Sequence, residues 1–288
     1  GHMTTAATTI ETAASYFVPA GAEVFVPTAA AGGHWGESLI SGPAVAGLAA
    51  YALERDYGQP GFLPARFTID LIKPARQVPT RVQTRLVRDG RRVRFTECDI
   101  AQGDWIVARA TSVQYRISEA PTGDEWTTRP DFTAPQGADG DGLSVGSDDA
   151  GWSAWGPAHQ NTSRKRAYSR GVGVIAGVTL SPFVRSVVVA ESAANMVINL
   201  GRKGIGYING DLTVSLSRSA RGEFIGVQAD SRFAADGVSV GTATLFDDAG
   251  PIGTAMITAL ANPAAQIDFA GTARNEAPGA ELFTGNRS

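Results

Sequence analysis

A glutamate set in a run of small apolar residues has the most obvious chemical potential in this chain. Glu191 is flanked by Val187 to Ala190 on one side and by Ala193-Ala194 on the other. A carboxylate in such surroundings is either functional or internally paired, because an unpaired buried charge is costly. Asn195 follows four residues later and shares its face if the segment is helical. Such a carboxylate can act as a base toward water, and the free N–H groups of a helix amino terminus would stabilise the oxyanion that forms. The same two residues would equally serve as a structural polar pair. His34 and Glu37 are expected to open an earlier helix, where an anion or a carbonyl oxygen is stabilised. There Glu37 reads either as the wall of a groove or as a capping acid, and Trp35 as packing.

Basic residues cluster at Arg88, Arg91 and Arg92 and again at Arg164, Lys165 and Arg166. Arginine clusters suit phosphates, although most short basic runs are solvated surface. Other motifs fail on context. Gly142 to Gly146 and Gly237 to Gly241 both fit G-x-S-x-G, but a nucleophile elbow needs a strand before it and a helix after it. Ser144 falls in a stretch read as linker and Ser239 opens a strand. No histidine follows Ser239, and His159 lies too close behind Ser144. Gly171 to Ala176 matches G-x-G-x-x-A with no strand before it, so dinucleotide binding is not expected. Of three histidines, His2 reads as part of a cloning remnant, and His34 and His159 with one cysteine, Cys98, offer no metal-ligand spacing, so no metal or cofactor is expected. Cys98 reads as a packed thiol in a strand.

The elements that must position these groups are legible in outline. The chain has 288 residues, 43% of them hydrophobic and 18% charged, with a net charge of −3. These values point to one or two globular domains and give no sign of a nucleic-acid surface. No apolar run approaches the roughly 20 residues of a membrane helix, and no signal pattern opens the chain, so a cytoplasmic protein is expected. Strands are predicted near Glu23 to Thr28, Ala65 to Lys73, Thr80 to Arg88, Arg91 to Ala101 and Trp105 to Tyr115, with turns at Asp89-Gly90 and Gly103-Asp104. A helix is predicted from about Glu37 to Asp56. After a Gly, Asp and Pro-rich stretch the pattern returns: extended chain from Ala167 to Val178, a helix from about Pro182 to Leu200, and strands near Leu212 to Arg218, Phe224 to Ala234, Val238 to Phe246 and Ile252 to Leu260.

The two halves share spacing as well as order. Gly90 and Gly103 recur as Gly237 and Gly250, since 237 − 90 and 250 − 103 are both 147. The chain therefore reads as an internal duplication, each copy a curved antiparallel sheet around one mostly buried helix. The expected organisation is a first domain over 8–118, a linker over 119–160, a second domain over 161–265 and a tail over 266–288.

Three stretches carry a resemblance. Gly33-His34-Trp35-Gly36-Glu37 leads into a small-residue helix and is followed by Phe67 to Pro74, a strand ending in a basic residue and proline. Arg88-Asp89-Gly90-Arg91 is an R-x-G-R hairpin. Leu180-Ser181-Pro182-Phe183 opens the second helix, with Asp211 to Val214 and Gly222 to Ile225 beyond it. In order, spacing and duplication the chain resembles the acyl-CoA thioesterases with two fused hotdog domains, over roughly residues 15 to 262.

The resemblance implies an α+β fold of two tandem hotdog domains that form a pseudo-dimer, with acyl-CoA bound where the halves meet. In that family the second half supplies a helix Asp, a Thr or Ser entering the next strand and a Gln in the last strand. Carried across, the helix carboxylate falls on Glu191, or on Ala193 in a second alignment. The hydroxyl position falls on Tyr207 and the Gln position on Thr258. The implied chemistry is hydrolysis of a fatty or otherwise apolar acyl-CoA, with Glu191 activating water, Thr258 placing it and Asn195 alongside. His34, Glu37, Arg88 and Arg91 would line the substrate groove. A non-catalytic acyl-CoA or lipid-binding protein is the alternative, and a homo-oligomer of the double unit is left open.

Overall fold

The computed structural model describes residues 15–33, 36–137 and 142–269. The first half contains β1 (Ser15–Pro19), β2 (Val24–Pro27), α1 (Gly42–Tyr57), β3 (Phe62–Leu71), β4 (Thr80–Asp89), β5 (Val93–Gln102) and β6 (Trp105–Arg116). The second contains β7 (Ser144–Ser147), β8 (Gly151–Ala154), β9 (Lys165–Ser169), β10 (Gly173–Ile175), α2 (Pro182–Asn199), β11 (Asp211–Leu216), β12 (Ile225–Ala235), β13 (Val238–Asp247) and β14 (Gly250–Ala261). All of these strands join one sheet in the order β8-β7-β9-β12-β13-β14-β11-β3-β6-β5-β4-β2-β1-β10, and the short strand Tyr207–Asn209 also pairs with β14.

The halves meet edge to edge. β3 and β11 run antiparallel, with Phe67 opposite Val214 and Thr68 opposite Thr213. Because the strand ladders of the two copies recur at a displacement of 145 and 213 − 68 is also 145, the axis relating the copies passes through this seam. The Thr68 and Thr213 hydroxyls are hydrogen-bonded across it at 3.0 Å. A second join is made at the far edge, where β10 lies parallel to β1.

Both helices cover the same face of this sheet, and their sequences explain how they start. Ser41 accepts a hydrogen bond from Ala44 N and Pro43 follows it, while Ser181 accepts one from Val184 N with Pro182 next. A serine cap followed by proline satisfies a free N–H and presets the first turn. Inner-face strand residues such as Phe67, Ile69, Leu212, Ile225 and Ile257 pack beneath the helices. Phe67 meets Phe183 edge-on across the seam, with ring centroids 6.0 Å apart. The helices can approach closely because Gly47 has no side chain: a Cβ there would come within 2.7 Å of Val174 Cγ2 and 2.9 Å of Val188 Cγ2. Neither helix is long and apolar enough to cross a membrane.

Several expectations are corrected. The first helix begins at Gly42, not Glu37, because residues Gly36–Ile40 form a short strand against Gly32–Gly33, and Ile40 N donates to Ala75 O. The strand ladders repeat at 145 residues, not 147, since Val93 opposite Tyr115 recurs as Val238 opposite Leu260, and the caps at Ser41 and Ser181 are 140 apart. The difference of five is taken up in and after α2, where Leu200–Gly201 and Gly204–Ile205 form short strands with no counterpart after α1, whereas Tyr207–Asn209 repeats Phe62–Pro64. Within the stretch read as linker, β7 and β8 form a hairpin, and β7 pairs with β9. Part of the expected tail is also packed: Ile205 and Ile267 are bridged, and Phe269 stacks edge-on with Trp155.

Candidate active site

The inner face of α2 carries a ladder of polar side chains at Glu191, Asn195 and Asn199, spaced four apart and therefore stacked on one side of the helix. All three are buried, Glu191 at 2% exposure. The Nδ2 of Asn209 lies 3.4 and 3.3 Å from the two carboxylate oxygens of Glu191 and also donates to Asp211 O. Asn195 donates to Tyr207 O at 2.9 Å, and Asn199 donates to Asn195 Oδ1 at 2.8 Å. Asn199 Oδ1 in turn accepts from Ser239 Oγ and Arg232 Nε.

One member of the cluster comes from the other half. Tyr16 on β1 is 3% exposed and hydrogen-bonded to Ser192, the residue after Glu191. Burial pushes its phenol above the ordinary tyrosine range; the Ser192 bond opposes the shift and the charge of Glu191 adds to it. A buried carboxylate thus lies close to a phenol that stays neutral. Such a pairing supplies a proton acceptor and a neutral donor in one low-dielectric place.

The structure does not bring Thr258 to this cluster. Ala255, Ile257 and Ala259 of β14 are buried beneath the helices, so the alternation of the strand turns Thr258 to the opposite face. There it is exposed, and its N–H and hydroxyl both donate to the Asp211 carboxylate, at 2.8 and 2.7 Å. Tyr207 is also displaced from its expected part: its carbonyl serves Asn195, and its ring lies under Arg232, 5.3 Å from the guanidinium. At the entry to β11 the side chain that reaches Glu191 is Asn209.

Models of two domains match the sequence, the acyl-CoA thioesterase N-terminal domain over residues 32–114 and the acyl-CoA thioesterase C-terminal domain over residues 117–260. The chain belongs to the acyl-CoA thioesterase family. Solved structures agree in fold. The tesB protein of Mycobacterium avium subs paratuberculosis is 17% identical, covering 86% of this chain and 96% of its own, with a TM-score of 0.61. Acyl-CoA thioesterase II TesB2 of Mycobacterium marinum is 13% identical over 88% and 98%, with a TM-score of 0.58. A protein with a hot dog fold from Alicyclobacillus acidocaldarius is 13% identical over the same shares, with a TM-score of 0.60. No curated protein matches. The architecture is thus the tandem hotdog arrangement of an α+β thioesterase, with the two sheets continuous.

His34 is outside the described residues, and Glu37 lies in the Gly36–Ile40 strand before α1. Arg88 and Arg91 are exposed on the β4–β5 hairpin, where Arg91 O accepts from Arg116 Nε. The second basic cluster is spent on the fold: Arg164 pairs with Asp131, and Arg166 with Asp148 and Gln228. Lys165 is buried, donating to the carbonyls of Asn161, Ser163 and Leu200. Cys98 is buried, and its thiol is pushed up to about 12, chiefly by that burial. Among the described residues no group of three His, Cys, Asp or Glu side chains could hold a metal ion.

Asn209, Tyr16 and Ser192 are the residues that sequence reasoning missed. The turn-forming Asn209-Gly210-Asp211 before a strand was a usable signal. Tyr16 carried none, because its contact crosses from one half to the other.

Proposed function

We propose that this protein hydrolyses acyl-CoA thioesters with Glu191 as the base. The observation that carries the reading is the buried Glu191 carboxylate, steadied by Asn209 and placed beside Tyr16 and Ser192 where the halves meet. Glu191 takes a proton from water, and the hydroxide adds to the thioester carbonyl carbon. The C–S bond then breaks, and the departing CoA sulfur receives the proton from Glu191, leaving a carboxylic acid and free CoA. Donors of the neutral kind offered by Tyr16 and Ser192 suit the carbonyl oxygen as it gains charge. Apolar side chains around Glu191, including Val187, Val188 and Ala194, favour a fatty or otherwise apolar acyl group.

One observation favours a second reading, binding without turnover. Thr258 stands where the family resemblance puts its Gln, yet its hydroxyl is bound to Asp211 on the far face of the sheet.

Hydrolysis measured across acyl-CoA chain lengths, with Glu191→Gln beside the parent, separates the two. Loss of roughly 100-fold or more in kcat, the usual scale for a general base, supports hydrolysis through Glu191. Saturable acyl-CoA binding with no turnover in the parent favours the binding protein, and a variant as fast as the parent removes Glu191 from the mechanism.

A further inference from the structure

A cavity of about 350 Å³ opens between the halves, lined by Glu54, Phe62, Ser112, Gln114, Pro182 and Phe183 among others. None of the residues around Glu191 lines it. A second cavity of about 230 Å³, walled mostly by apolar side chains such as Val174, Ile175, Leu180 and Val184, adjoins it through one shared residue, Glu54. A carboxylate thus sits between a compartment of mixed lining, where Gln59, Ser112, Gln114 and Ser219 offer polar groups, and a mostly apolar one. A thioester substrate has that division, with an amide-containing pantetheine arm on one side of the reacting carbonyl and an acyl chain on the other.

The duplication explains why such a place exists. The strand displacement of 145 puts Pro64 where the second half has Asn209, and Gln114 where it has Ala259, and both line this cavity. The helix displacement of 140 puts Tyr51 in the place of Glu191, and Glu54 in that of Ala194. Each half therefore carries one glutamate on its buried helix, and the two differ by about one turn along it.

We propose that the Glu54 cavity is a second thioester site, with Glu54 as its base and the first turn of α2 as the cradle for the carbonyl oxygen. In that turn Pro182 carries no N–H and Val184 N is held by Ser181, which leaves the N–H of Phe183 to bind the oxygen. Glu54 takes a proton from water, the hydroxide adds to the carbonyl carbon, the C–S bond breaks and the sulfur leaves with that proton. Burial raises the Glu54 carboxyl above its ordinary range, opposed in part by the Ser181 hydrogen bond, and a raised value makes it the stronger base. The substrate class rests on the preceding reading; the location does not.

Calorimetric titration with S-octyl-CoA, a thioether that cannot be hydrolysed, should give two molecules bound per chain, falling to one in Ser112→Trp. One molecule per chain, unaffected by Ser112→Trp, would overturn the proposal. Kinetics provide a check that does not depend on filling the cavity, because Glu54→Gln preserves shape. Glu191→Gln should leave a slower hydrolysis that drops at least a further ~100-fold in the Glu54→Gln/Glu191→Gln double variant. A double variant no slower than Glu191→Gln alone overturns the second site and leaves the first standing. Normal turnover in Glu191→Gln, lost in Glu54→Gln, does the reverse.

Discussion

Asn209 reaches both carboxylate oxygens of Glu191 with a single amide nitrogen, at 3.3 and 3.4 Å. Replacing Asn209 by Ala removes both contacts from a buried charge. The expected outcome is a loss of stability of about 1.5–3 kcal/mol, the usual net worth of hydrogen bonding to a charged group, together with a lower kcat. Urea unfolding and steady-state hydrolysis read the two effects separately. A variant of unchanged stability would mean that Asn209 does not hold the carboxylate.

This relationship also shows where the sequence was legible and where it was not. Period-two alternation and the turn glycines marked β4 to β6 and β12 to β14 within a few residues, but the glycines misplaced the repeat by two, since the ladders recur at 145 and Thr68 pairs with its counterpart Thr213. Ser181-Pro182 marked the start of α2 because a side-chain cap is a local event. Glu37 was misread because a strand of five residues pairs with distant chain, including Ala75, which no local pattern records. Thr258 was assigned through the family resemblance; the burial of Ile257 and Ala259 decides its face, and that depends on the helix above them. Asn209 stands where the first half has Pro64, so the repeat offered no polar precedent for it.

The crossing of the two helices gives a second expectation. A Cβ on Gly47 would press on Val174 and Val188, both buried and stiff at χ1. Gly47→Val gains only a few tenths of a kcal/mol in helix propensity, whereas overpacking costs about 1–3 kcal/mol. Overpacking wins, so the denaturation midpoint should fall while the denaturant dependence stays constant. An unchanged or higher midpoint would contradict the close approach of α1 and α2.

Lys165 predicts a dependence on pH. Its ammonium is lowered to about 8 by burial, although Asp149 and Asp148 pull the other way. An unfolded lysine holds its proton up to about 10.4. Between these values the unfolded chain binds more protons than the folded one, so stability should rise with pH from about 8 and level off above the unfolded value. Lys165→Met should lack this rise, and it should also be less stable at neutral pH because the carbonyls of Asn161, Ser163 and Leu200 lose their donor. Denaturation midpoints at half-unit steps through that range test the sign; a parent whose stability falls or stays flat across it refutes the assignment.

Ser153, His159 and Ser147 have the outline of a nucleophilic serine backed by a histidine, and the proton count argues against that role. His159 Nε2 lies 2.6 Å from Ser153 Oγ and its Nδ1 lies 2.9 Å from Ser147 Oγ. Ser147 Oγ already accepts from Ala150 N and Asn161 Nδ2, so its own proton goes to Nδ1. Nε2 then carries the ring hydrogen and donates it to Ser153, whose proton goes to Ala154 O. The serine is hydrogen-bonded to a carbonyl and receives no help from the imidazole as a base. Burial, then the charges of Lys165 and Arg166, hold His159 below its ordinary range and keep it neutral. Two results are expected. A fluorophosphonate probe should leave Ser153 unlabelled, as judged by peptide mass mapping. Stability should fall as pH drops below the ordinary histidine range near ~6.5, because the unfolded chain takes up a proton there before the folded chain does, and His159→Asn should lose that limb. Covalent labelling of Ser153 that is abolished by His159→Asn would reverse the tautomer and make the pair a working nucleophile.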